Sequence, residues 1–128
     1  MAGPRAGSEP EAAREAPPAS PLQLCGSLER MAATRDDLVD GSPTTTMRDL
    51  RAAASRARSV GARTEGLGPQ ARAGLDYFTG LFLALPEQPT TEQLLSSGAP
   101  ASVTDQAHAD AFVSWLQGTC PQAGAPAA

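Results

Sequence analysis

Large side chains able to drive folding are scarce in this chain, and apart from Met1 they fall between residues 22 and 120 at spacings that suit helices. Ala supplies 25 of the 52 apolar residues among 128, so only 27 larger ones remain. One small domain with a thin core is what that supply supports. From Met1 to Pro21 there is no Leu, Val, Phe or Trp, and Pro10, Pro17, Pro18 and Pro21 interrupt every turn. Residues 1–21 are therefore expected to form a disordered leader, with nothing to bury against the entropy of ordering. Residues 122–128 read as a similar tail, which leaves 22–121 as the folded domain.

Within that stretch the period is helical throughout, and no apolar/polar alternation is long enough for a strand. Leu24, Leu28, Met31 and Leu38 share one stripe of a first helix, which stops at Asp40, Gly41, Ser42 and Pro43. Gly41 suits a C-terminal cap there, and Pro43 prevents continuation. A second helix follows the run Thr44 to Thr46, any of which can cap, and sets Met47, Leu50, Ala54, Ala57 and Val60 on one face until Gly61. That face is mostly Ala, so a partner helix can approach closely. Pro69 suits the first position of a third helix, whose Ala71, Leu75, Phe78, Phe82 and Leu85 form the cleanest apolar stripe before Pro86. Thr90, Glu92 and Gln93 offer a capping box for a short helix carrying Leu94 and Leu95. Ser102 or Thr104 caps a last helix through Phe112, Trp115 and Leu116, which ends near Gly118 and Cys120 before Pro121. The expected fold is all-α: an antiparallel up-down four-helix bundle with a short extra helix in the third connection.

The formal net charge is -4 and the isoelectric point is near 4.8, the wrong sign for a protein built to grip phosphate backbones or anionic lipid. No apolar run approaches the roughly 20 residues of a membrane span. Lys, Asn and Ile are absent and all ten basic residues are Arg, which reads as a GC-rich bacterial genome. Arg enrichment here is in part codon bias and carries less weight as a phosphate signature.

Candidate chemistry is sparse. His108 is the single His, set four and seven positions before Phe112 and Trp115 on the edge of an apolar face, with no second ligand at metal-binding spacing. Asp36, Asp37 and Asp40 cluster at the end of the first helix, where the helix dipole disfavours them, and read as a solvated end. Arg48, Arg51 and Arg58, with Arg56 and Arg63 nearby, make a ridge on the second helix that Asp49 interrupts. No Gly-rich phosphate loop and no nucleophile elbow occurs. We therefore expect no catalytic residue, no metal and no cofactor. Core packing accounts for Phe78, Phe82 and Phe112, whereas Tyr77, Leu81, Leu83 and Trp115 form a candidate interaction surface for a protein or a small apolar ligand.

Cys25 opens the first helix and Cys120 closes the last. An even number of helices returns the chain to the pole where it began, so the two thiols meet, and bridging them would add about 4 to 5 kcal/mol in the chain-entropy model. The other reading is two buried reduced thiols in a cytosolic protein. A bridge implies an oxidising compartment, with an export segment upstream of Met1. The run Leu22, Gln23, Leu24, Cys25 is not a lipid-attachment site, because Leu24 stands where a small residue is required.

With Cys25, Phe112, Trp115 and Cys120 so disposed behind a low-complexity leader, the chain resembles small disulfide-clipped helical extracytoplasmic, lipoprotein-like proteins of high-GC bacteria. That resemblance implies a non-enzymatic extracytoplasmic helical interaction module of unknown target. The alternative is a cytosolic helical regulator that binds nucleic acid through the Arg-rich second helix.

Overall fold

The computed structural model describes residues 17–96 and 102–121, and among them the protein is all-α. The helices are α1 (Pro21–Val39), α2 (Met47–Arg63), α3 (Pro69–Leu83), α4 (Thr91–Ser96) and α5 (Val103–Thr119). The expected disorder of residues 1–16 and 122–128 lies outside the described residues.

Local chemistry sets the boundaries. Ser20 caps α1 in a reciprocal box with Gln23, and Thr46 does the same for α2 with Asp49. Thr90 and Gln93 exchange the same pair of bonds at the start of α4, and Ser102 accepts from the Asp105 N–H at the start of α5. The end of α1 is a Schellman turn. Gly41 adopts φ 78°, its N–H donates to the Leu38 carbonyl, and the Ser42 N–H donates to that of Asp37. α3 stops at Leu83, one turn short of Pro86, because the residue before a proline is disfavoured in helical backbone.

The core divides into two clusters. One joins Met31 of α1, Met47, Leu50, Ala53, Ala54 and Ala57 of α2, Phe82 of α3 and Leu94 of α4. The other joins Ala19, Leu24, Val60, Leu67, Ala71, Leu75 and Phe112. The start of α1 thus meets the end of α2, the start of α3 meets the end of α2, and α5 lies along α3. Contacts are extensive between α1 and α2, α2 and α3, and α3 and α5, and sparse between α1 and α5. All five residues expected on the α2 stripe are buried, while Phe78 and Leu85 of the α3 stripe are only half-buried at the rims.

Three features depart from the expected pattern. The last residues of the leader do bury something: Ala19 is 3% exposed, its N–H donates to the Arg63 carbonyl, and Arg63 Nη1 donates to the Pro17 carbonyl. A small side chain beside a backbone bridge to Thr64 needs no large apolar group to dock. Pro21, expected at the leader's end, is instead the first residue of α1, where its missing N–H costs nothing. Thr79, polar in the sequence, is fully buried on α3. Its hydroxyl donates to the Leu75 carbonyl and accepts from Arg58 Nε, so the group is satisfied across the α2–α3 contact.

The approach of α5 to α3 depends on Gly74. A Cβ there would collide with the His108 carbonyl oxygen and stand 2.7 Å from Phe112 Cβ. Backbone cannot give way as a side-chain tip can, so the helices would have to separate. Gly74→Ala is expected to destabilise by about 1 to 3 kcal/mol, the usual range for overpacking. Gly26→Ala, on a part of α1 where a Cβ meets nothing within 4 Å, should instead stabilise by about 0.5 to 1 kcal/mol. Thermal melts of the two variants should move in opposite directions.

Candidate functional site

Helix ends gather at one pole of the molecule. Cys25, in the second turn of α1, and Cys120, the C-cap of α5, are bonded to each other, with Cα atoms 5.6 Å apart and a sequence separation of 95. Among the described residues no other thiol remains. The pairing expected from chain order is what the structure contains. The Cys120 N–H donates to the Leu116 carbonyl at 2.8 Å, which anchors the bridge to the last turn of α5. Below it, Leu28 and Ala32 of α1 face Leu116 across a cleft of about 220 Å³ that the cystine itself helps to line. Drug-sized ligands occupy about 300 to 1,000 Å³, so this space suits a side chain and not a whole small molecule.

A larger groove of about 570 Å³ runs between the start of α3 and the outer side of α5, lined by Leu67, Pro69, Ala71, Ala111 and Trp115. Of the four residues expected to share one interaction surface, only Trp115 lines it. Tyr77 leans edge-on against Phe78, with ring centroids 5.6 Å apart. Leu83 packs against the cluster that contains Met31 and Phe82, whereas Trp115 packs against the one that contains Leu24 and Phe112. Leu81 is half-buried on α3. The expected single patch is thus divided, because residues 81 and 83 lie two positions apart on a helix and project about 200° from each other.

Three of the five Arg residues on α2 are half-buried and engaged within the molecule. Arg51 donates to Glu87 at 2.9 Å and to the Leu85 carbonyl, and Arg58 donates to Thr79 and to the Asp76 carbonyl, with the Asp76 carboxylate 3.6 Å away. Arg63 holds the Pro17 carbonyl. These three stitch α2 to the connection after α3, to α3 and to the segment entering α1. Arg48 and Arg56 are exposed.

Asp36, Asp37 and Asp40 are exposed at the end of α1, and Asp36 pairs with the adjacent Arg35. His108 is half-buried on α5, with its backbone carbonyl against Gly74. Among the described residues, no group of three or more His, Cys, Asp or Glu is disposed to hold a metal ion. Nor is any helix of the described residues long and apolar enough to cross a membrane.

Sequence reasoning missed Gly74, Thr79 and Ser27. Gly74 carried one signal, an interior helical glycine, which costs about 1 kcal/mol against Ala and so implies a packing reason. Comparison with known proteins finds no matching family model, no matching curated protein and no matching solved structure.

Proposed function

We propose that this chain is a non-enzymatic helical interaction module working outside the cytoplasm, an up-down antiparallel four-helix bundle whose first and last long helices are clipped at one pole. The observation that carries the reading is the use of both cysteines in one bridge across 95 positions. Such bridges form and persist in oxidising compartments, and closing so long a loop adds most where the core is thin. The order of helix contacts supports the bundle: each long helix packs on the next, and the bridge joins α5 back to α1. Kinship with disulfide-clipped, lipoprotein-like proteins of high-GC bacteria would account for the same combination.

The groove beside Trp115 is the surface on which this reading seats a protein partner or a small apolar ligand. Tryptophan with an apolar body and a polar tip is favoured at such contacts. The competing nucleic-acid reading loses support because Arg51, Arg58 and Arg63 are engaged within the molecule. Fractionation of cells that make the native chain tests the compartment. Recovery outside the cytoplasmic membrane is expected; recovery in the cytosol would overturn the reading.

A further inference from the structure

Between α1 and α2, away from the bridge and from the Trp115 groove, lies a small polar cavity of about 230 Å³. Arg30 of α1 and Arg56 and Arg63 of α2 all line it, together with Ser27 and Gln23, and among the described residues no Asp or Glu does. The ion pairs among the described residues involve Arg35, Arg51, Arg58 and Arg72. None of the three guanidinium groups of the cavity is in an ion pair among those residues. In a chain of net charge -4, three Arg side chains thus line one cavity, Arg30 and Arg56 from its exposed side and Arg63 half-buried. Asp49 lines an adjoining cavity shared with Arg30 and Arg56, and its carboxylate accepts from the Thr46 N–H at 2.9 Å as part of the α2 cap.

Ser27 is the second, independent observation. It is 8% exposed, one of three buried polar residues among those described. The other two, Thr64 and Thr79, donate to the carbonyls of Val60 and Leu75. Among the described residues the Ser27 hydroxyl has no hydrogen-bond partner, and what remains open to it is the cavity. Its oxygen is not among the fully buried polar atoms that lack a partner, so it opens onto the cavity, where water or a ligand can satisfy it.

We propose that this cavity binds the phosphate group of a phosphate monoester. Planar guanidinium forks match the oxygens of phosphate in pairs, and Ser27 supplies a neutral donor from the floor. The volume admits a phosphate group and its first few neighbours, below the range of a drug-sized ligand. One Arg63 donor is already committed to the Pro17 carbonyl, which fixes that side chain at the rim and leaves its other donors for the anion. The same chemistry is presented by soluble phosphorylated molecules and by phosphatidic acid in a membrane.

The test uses the full oxidised chain. Inorganic phosphate and glycerol 3-phosphate are titrated at constant ionic strength, with chloride as the balancing salt, while amide resonances are followed. Vesicles with and without phosphatidic acid are assayed for co-sedimentation in parallel. Saturable shifts confined to residues 23–30 and 56–63 are expected, weakened on the order of ten-fold or more in Arg56→Gln and in Ser27→Ala. Arg48→Gln, exposed on the same helix but outside the cavity, should bind as the parent does. Binding in solution assigns a soluble ligand, and retention on phosphatidic acid vesicles alone, lost in the same variants, assigns a headgroup. Absence of saturable binding in both arms, or equal binding by Arg56→Gln and Ser27→Ala, would overturn the proposal. So would binding to a short oligonucleotide with no response to either phosphate.

Discussion

Replacing both cysteines, as Cys25→Ser with Cys120→Ser, is expected to cost about 4 to 5 kcal/mol of stability, the chain-entropy value for a loop of this length. Small domains have about 5 to 15 kcal/mol in all, so the variant should lie near the threshold of folding. The structure gives a reason to expect the full effect. α1 and α5 touch sparsely, so little side-chain packing takes over when the covalent link is removed. Urea denaturation of the oxidised protein and of the double variant measures the difference. With a urea slope of about 1 to 3 kcal/mol per molar, the midpoint should fall by about 1.3 to 5 M. A loss below about 1 kcal/mol would mean that the seam between the two helices holds without the bridge.

Phe82→Ala carries the second large effect, about 3 to 5 kcal/mol for deleting a buried aromatic ring. Phe82 is 6% exposed and belongs to a cluster drawn from α1, α2, α3 and α4. Its neighbours in that cluster include Ala53, Ala54 and Ala57, which have no longer side chain to swing into the space. Tyr77→Ala should cost distinctly less, because Tyr77 is only half-buried and leans on the rim of Phe78. The pair is compared in one denaturant titration on the oxidised protein. If Tyr77 proves the costlier of the two, the facing of α3 is misassigned.

Much of the fold was legible because its determinants are local. Met47, Leu50, Ala54, Ala57 and Val60 are buried as their spacing requires, and Gly41, Thr46, Pro69 and the box at Thr90 act where a cap or a stop was expected. Partner-dependent features were not legible. Thr79 reads as a polar residue interrupting an apolar face until Arg58 is brought to it from α2. Gly74 becomes a contact point only once α5 lies against it. Ala19 docks through backbone bonds that no side-chain pattern announces.

The candidate sites divide along the same line. Cys25 and Cys120 could be paired from chain order alone, because only their positions along the helices matter. The surface of Tyr77, Leu81, Leu83 and Trp115 could not be assembled that way, since it requires knowing which side of α3 each neighbour covers. Arg30, Arg56 and Arg63 come from two helices and meet only when those helices pack.

The most direct test of a bridged module made for an oxidising compartment is a peptide map of the native protein, with thiols alkylated in living cells before lysis. Cleavage after Arg places Cys25 in residues 15–30 and Cys120 in residues 73–128. The account predicts that these two peptides are recovered as one unalkylated, cross-linked species that separates on reduction. Recovery of both as separate alkylated peptides would contradict it.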